Sequence, residues 1–309
     1  MSKKVFGDIT MIAAAQATRS WQIGDVKITK ITETEMLRSP AGAFPNAEPD
    51  ALDGVGWLRP DFVSDEGDLR FSFHALVIDT GSHRILVDTC FGNDKIRSKA
   101  AFCHQLDLPF LADLKMAGYD RESIDTVLCT HLHTDHVGWN TMLVDGQWVP
   151  TFPNARYLVD KAEYEHWTHA LETAGDELMD AMLVETFADS VKPVVDAGLI
   201  DLVACDHRIC EEVRLIPTRG HTTGHVSVII DSEGQRALIT GDSMHHPCQL
   251  VHVHWSPGVD HDADQAADTR RALIGLLADT PTLVIGTHWA GPSAGYIVRD
   301  GPVHALTSA

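Results

Sequence analysis

Between Thr130 and Gly138 the chain reads THLHTDHVG, which places three imidazoles and one carboxylate within six residues. The apolar stretch before it, 124–130, reads as a short buried strand, so the run begins at a strand's carboxyl end. Alternate residues leaving a strand point the same way, which pairs His131 with His133. The turn that follows brings Asp135 and His136 round to a second position nearby. That geometry suits two adjacent cations better than one. Two borderline-soft ions with nitrogen and oxygen donors need about three protein ligands each plus a shared oxygen. The run supplies four, so the chain must fold to bring further donors from remote strand ends. Three windows qualify: Arg219 to His225 (RGHTTGH), Thr240 to Ser243 (TGDS) and Gly286 to Trp289 (GTHW). Each follows an apolar strand and sits beside glycine, which lets the backbone approach closely.

The rest of the chain is organised around such strand ends. Residues 26–32 alternate apolar and polar side chains, and 71–78 and 84–87 flank the turn at 79–82, a predicted hairpin. A helix is expected at 110–116, with Pro109 at its first turn and Gly118 closing it. Leu178, Met179, Met182, Leu183 and Phe187 recur at helical spacing with Pro193 as terminator, which predicts one or two helices within 160–192. In the second half, strands at 213–217, 237–240 and 283–286 stop shortly before His221, Asp242 and His288. A helix opens at Asp262 with Gln265 three residues on. Strands alternating with helices predict α/β layering, with two similar halves (20–158 and 194–309) and the helical insert forming one domain over residues 1–309.

Composition narrows the partners. With 24 basic and 44 acidic residues in 309, the net charge of −20 repels a phosphate backbone, so no nucleic-acid partner is expected. The longest apolar stretches, such as 199–205 interrupted by Asp201, fall short of the ~18 residues that cross a bilayer. The opening residues carry Asp8 inside a short apolar stretch, so neither a membrane partner nor a signal peptide is expected. Six cysteines without a CxxC spacing fit a reduced, cytoplasmic chain.

The HxHxDH run, a GHTxGH-like segment, a GD after a strand and a late isolated histidine occur here in that order. The set resembles the metallo-β-lactamase superfamily of dinuclear metal hydrolases over roughly residues 70–300. The resemblance implies an αββα sandwich, in which two mixed β-sheets pack face to face with helices on the outer sides and the metals at one edge. Carried over position by position, it implies that His131, His133 and His221 hold one metal. Asp135, His136 and His288 would hold the other, with Asp242 bridging them. The implied cofactor is two divalent ions, Zn²⁺ first, with Mn²⁺, Co²⁺ and Fe²⁺ accepted by the same donors. The family pattern makes His225 a structural residue that hydrogen-bonds the loop. An aspartate in the bridging role argues against antibiotic hydrolysis, and His133 argues against the diiron flavoproteins, which carry a carboxylate there. The nucleases of the fold are disfavoured by the charge. What remains is the branch of acyl-homoserine lactonases and methyl-parathion-hydrolase-like phosphotriesterases. The stretches GDSMHHPCQLVHVHW and GTHWAGPSAGYIVRDG look closer to the parathion-hydrolase side. His245 stands where the lactonases commonly carry tyrosine.

The reaction implied is attack of a metal-bridging hydroxide on a lactone, ester or phosphotriester bond of a small molecule. Asp242 would orient the nucleophile and pass a proton to the leaving group, with His245 as the second candidate. Trp139 and Trp289 flank the ligand segments and are expected either to line a substrate pocket or to brace the metal loops from the core. Trp167 and the segment 178–187 read first as core packing, with a lid or a homodimer surface as alternatives. Two other functions fit the residues: a mono-iron enzyme resembling persulfide dioxygenases, and a catalytically silent metal-binding protein of the same fold.

Overall fold

Residues 9–12 and 18–308 are described by the structure, a computed structural model. Asp8 and its neighbours, on which the expectation about a signal peptide rests, lie outside them. Among the described residues no helix is long and apolar enough to cross a membrane.

The first sheet takes its strands mainly from the first half: β1 (Thr10–Ile12), β2 (Arg19–Ile23), β3 (Val26–Arg38), β4 (Leu69–Asp79), β5 (Arg84–Val87) and β6 (Thr126–Leu128). A separate hairpin, β7 (Thr141–Val144) and β8 (Gln147–Pro150), precedes β9 (Arg156–Asp160), and β10 (Ile200–Val203) completes the sheet. Its order is β1-β3-β4-β5-β6-β9-β10, with β2 paired to β3. The second sheet runs in chain order: β11 (Val213–Pro217), β12 (Val226–Ser232), β13 (Gln235–Ile239), β14 (Thr282–Ile285), β15 (Ala294–Asp300) and β16 (Val303–Ser308). Both sheets are mixed. The pairs β5–β6, β6–β9 and β9–β10 are parallel in the first, and β13–β14 is parallel in the second. The helices are α1 (Pro40–Ala43), α2 (Phe110–Met116), α3 (Thr134–Val137), α4 (Lys161–Thr173), α5 (Leu178–Thr186), α6 (Lys192–Asp196) and α7 (Ala263–Leu277).

The period of two along the strands sorts side chains into three apolar layers. Ile28, Leu76, Ile78 and Leu128 meet Val213, Val228, Ile239 and Ile285 between the sheets. On the outer face of the first sheet, Phe110 and Leu114 of α2 pack with Val127 and Tyr157. Leu273, Ile274 and Leu277 of α7 cover Ile229, Leu238 and Val284 of the second. This is the αββα arrangement. Each fully buried side chain of this kind stabilises the sandwich by about 1.5–3 kcal/mol.

Two boundaries differ from expectation. Pro193 does not end the helical insert: α5 passes through one π-helical turn, Phe187–Val191, into α6, where proline sits in the first turn. A missing N–H costs nothing there, because first-turn amides have no intrahelical acceptor. The second half also begins later than residue 194, because β10 pairs in parallel with β9. A parallel neighbour requires a crossover of a dozen or more residues, and α4 to α6 supply it.

Candidate metal centre

The ligand windows meet at the carboxyl-end edge of both sheets. After β6 the Cys129 amide makes one more bond to β9, at the Leu158 carbonyl (3.0 Å), and the Asp88 carboxylate just past β5 then takes over. Asp88 accepts the Thr130 amide at 2.8 Å, the Thr130 hydroxyl at 2.9 Å and the His136 Nδ1–H at 2.9 Å. Gly138 follows α3 so closely beneath Phe91 that a Cβ would lie 1.8 Å from the Phe91 carbonyl oxygen. In the second half, Gly241 takes φ +54° and passes His225, whose Nε2 would sit 2.6 Å from a Cβ. That left-handed turn presents the Asp242 amide to the same nitrogen at 2.8 Å and turns the Asp242 side chain inward.

His131, His133 and His221 form one group of donors and Asp135, His136 and His288 another; within each group the ligand atoms lie within 4.8 Å of one another. Asp242 stands between the groups, with Oδ2 at 3.4 Å from His136 Nε2, 3.4 Å from His221 Nε2 and 3.1 Å from His245 Nε2. Its Oδ1 lies 3.1 Å from His288 Nε2. The seven positions named from the motifs thus converge. His225 stands apart from both groups: its Nδ1–H donates to the Thr218 carbonyl at 3.0 Å, and its Nε2 accepts the Asp242 amide. Burial lowers its pKa to about 3, with the charge of neighbouring His221 acting the same way. It enters the site as a neutral brace.

Ring tautomers test whether cations fit. His136 Nδ1 faces the Asp88 carboxylate, His221 Nδ1 faces Asp260 Oδ1 at 2.7 Å, and His288 Nδ1 faces the Ser72 carbonyl at 3.4 Å. These acceptors hold the ring protons outside, so each Nε2 turns a lone pair to the centre. There His136 Nε2 and His288 Nε2 are 3.1 Å apart, and His221 Nε2 is 2.9 Å from His133 Nδ1. Two lone pairs at that separation repel unless positive charge lies between them. The donor set therefore fits cations held in both groups. Electrostatics divide the set. Burial lowers the pKa of His131 and His133, and the neighbouring imidazoles lower it further, so both are neutral donors. For His136, burial is outweighed by the carboxylates of Asp242, Asp88 and Asp135, which raise its pKa, and Asp242 does the same for His288, so positive charge is favoured on that side of the centre. Burial opposes ionisation of Asp242, but the surrounding imidazoles of His136, His288 and His245 outweigh it and hold its carboxyl well below the ordinary range.

The centre forms the floor of a cavity of about 610 Å³. Phe44, Phe71, Phe73 and Phe91 line it, together with Met182 and Leu183 of α5. Trp139 and Trp289 do not line it, which corrects their expected substrate contacts. Trp139 stacks on Phe110 in the outer core and donates to Glu33, and Trp289 is fully buried with its N–H on the Met244 carbonyl. Both brace the metal loops from behind. The tryptophan that does face the cavity is Trp167 of α4, whose ring meets His133 with centroids 5.4 Å apart. Segment 178–187 is neither plain core nor only a surface, since α5 walls the site.

Three supporting carboxylates escaped sequence reasoning. Asp88 carried a usable signal, because it follows an apolar strand as the other ligand windows do. Asp260 carried none, since its contact with His221 spans 39 positions. Glu163 is fully buried in α4 and accepts the Leu132 amide at 3.1 Å and the Gly224 amide at 2.8 Å, clamping one backbone loop from each half.

Comparisons with known proteins agree with this geometry. The family model of the metallo-beta-lactamase superfamily matches residues 43–288. An N-acyl homoserine lactonase of a Bacillus species is 26% identical over 168 residues, which is 51% of this chain and 57% of that protein. The lactonase of Bacillus thuringiensis is 24% identical over 53% of this chain and 60% of its own. The chain therefore spans little more than half the length of these relatives. Among solved structures, the hydrolase AbOPH of the beta-lactamase superfamily superposes with a TM-score of 0.78 at 24% identity, covering 96% of this chain and 98% of its own. The dizinc quorum-quenching lactonase AidC gives 0.75 at 20% identity, covering 95% and 97%. At such identity these two are likenesses of fold.

Proposed function

Because this chain belongs to the metallo-β-lactamase superfamily, we propose that it is a two-metal hydrolase that cleaves a lactone, ester or phosphotriester bond in a small apolar-substituted molecule. The observation that carries this reading is the convergence of two donor groups on one carboxylate at the floor of an apolar cavity. His131, His133 and His221 would hold one ion, Asp135, His136 and His288 the other, and Asp242 would contact both. Divalent ions held there supply Lewis acidity, which activates water and polarises the scissile carbonyl or phosphoryl oxygen.

The chain's own residues do the rest. Asp88, Asp260 and the Ser72 carbonyl fix three imidazoles in the tautomer that donates inward. Asp242 is ionised and faces the cavity, so its carboxylate can accept the proton of an attacking water at Oδ1 and return it to the departing oxygen. The phenylalanine wall and α5 exclude bulk water and bury an acyl chain or aryl group. No thiol competes as nucleophile: none of the six cysteines lines the cavity, and burial pushes Cys90 and Cys248 well up and Cys103 and Cys129 to about 12. Two complete donor groups exceed what a mono-iron enzyme needs, which disfavours that alternative.

The lactonase relatives make an acyl-homoserine lactone the first substrate to try, beside an aryl ester and an aryl phosphotriester of matched size. The expected result is turnover of at least one, with about two divalent ions per chain by elemental analysis and loss of turnover on chelation. Turnover that survives complete metal removal would overturn the proposal.

A further inference from the structure

His245 belongs to neither donor group named above, yet nothing else in the site is placed as it is. Its ring is buried on the cavity floor, three residues beyond Asp242, on the short segment between that aspartate and Pro247. Nδ1 has no partner, and Nε2 lies 3.1 Å from Asp242 Oδ2 without the alignment of a hydrogen bond. His246, its neighbour in sequence, is fully buried but satisfied, with Nε2 at 2.9 Å from the Phe62 carbonyl and Nδ1 accepting the Cys248 amide. The two backbone amides, of His245 and His246, are both tied to Gln249 Oε1, at 2.7 and 3.1 Å, so the segment is held rigidly from behind. A polar ring held so firmly and left without an aligned partner is destabilising, unless its partner is something other than protein.

The direction of the ring identifies that partner. His245 Nε2 lies 3.1 Å from Asp242 Oδ2, and the ligand atoms of His221, Asp242 and His245 all lie within 4.8 Å of one another. The His245 and His221 rings meet at 68° with centroids 4.7 Å apart, the edge-on relation that His221 also holds with His131 and His133, at 87° and 88°. Resting on the two-ion reading above, we infer that His245 is an additional protein donor to the ion held beside His221 and Asp242. The two ions are then inequivalent. The one on the His131, His133 and His221 side has an extra imidazole and is held more tightly, and the one on the Asp135, His136 and His288 side keeps more open positions for substrate.

Two variants and one measurement on the intact protein test this. In the Co²⁺-loaded wild type, the exchangeable ring N–H protons of ligating imidazoles are shifted by the paramagnetic ion. Six such resonances are expected, from His131, His133, His136, His221, His245 and His288, rather than five. His245→Phe keeps the ring volume and removes the donor, and His245→Gln keeps polarity without an imidazole. Both are expected to bind two ions, lose one shifted resonance, change the visible cobalt absorption and release one ion to excess chelator roughly ten- to a hundredfold faster. Five resonances in the wild type, or spectra and release curves unchanged in a folded variant, would overturn the role of His245 alone. A chain that takes up no ions would overturn the two-ion reading, and this inference with it.

Discussion

Asp242→Asn keeps the size of the side chain that stands between the donor groups and removes its charge. Metal content is expected to fall by about one ion per chain, and turnover by orders of magnitude, while the melting temperature of the metal-free protein changes little. Elemental analysis and thermal melts on the same samples check this; full occupancy with normal turnover would remove Asp242 from the centre. Within RGHTTGH the two histidines should part company. His221→Ala should lose metal, because its Nε2 faces both His131 and His133. His225→Ala should lose ~1–3 kcal/mol of stability, because both its ring nitrogens serve the loop backbone. Glu33 makes a pH prediction away from the metal. Burial raises its pKa from 4.5 to about 7, against the opposing hydrogen bonds from the Phe91 and Gly92 amides and the Trp139 N–H. The folded chain holds this proton more tightly than the unfolded chain. The associated stability is complete below about pH 4.5 and is lost as pH rises through about 7, on the order of 2–4 kcal/mol in all. Glu33→Gln cannot titrate, so its stability curve should lack that fall between pH 4.5 and 7; parallel curves would show that Glu33 titrates normally.

Elements couple the wall of the cavity to its floor. Immediately after α5, the π-helical turn carries Asp189, whose carboxylate receives Arg97 Nη1 at 2.7 Å and Nη2 at 3.1 Å. The same guanidinium donates through Nε to the Thr134 hydroxyl at 2.8 Å, one residue before Asp135. Arg97 and Asp189 are both buried, and Lys95 packs beside them over the Trp148 ring with its pKa lowered by burial to about 7. A π turn inserts one extra residue per turn, and here it aims a carboxylate at the metal loop. Arg97→Met should cost up to about 3–5 kcal/mol in urea unfolding, because it takes two guanidinium donors from a buried carboxylate that is left with the Ser190 hydroxyl at 2.6 Å and Lys95 at 3.8 Å. Arg97→Met with Asp189→Leu should recover part of that loss. Additive costs in the double variant would show that the pair is not coupled.

Across the whole molecule, each donor group draws on both sheets. His131 and His133 follow β6 while His221 follows β11, and Asp135 and His136 meet His288 beyond β14. Ions held there would staple two halves that also meet through apolar packing, the Phe71–Trp289 bridge and the Glu163 clamp. Chelation is expected to lower the melting temperature and to speed proteolysis. At a free-ion level 1,000 times the dissociation constant, the linkage term is ~4 kcal/mol. A melting temperature indifferent to chelator would mean that the donors hold each other in place without ions.

Local order was legible in the sequence because it depends on residues close together along the chain, and the windows that meet at the site were legible because each sits at the end of its own apolar strand. The helix at Phe110–Met116, the strands at Arg84–Val87 and Val213–Pro217 and the Asp262 cap onto Gln265 fall where pattern and turn chemistry put them. The seven positions that the family resemblance implied as donors are among those the fold brings together. Tertiary structure alone decided what stands behind and around those donors. Asp260 reaches His221 and Glu163 reaches Gly224 across spans that leave no periodic trace. The indoles of Trp139 and Trp289 adjoin the ligands in sequence yet turn into the cores, because beside a crowded metal loop an indole buries more surface facing away from it. Met182 and Leu183 became the cavity wall only because the crossover from β9 to β10 had to pass over that edge of the first sheet.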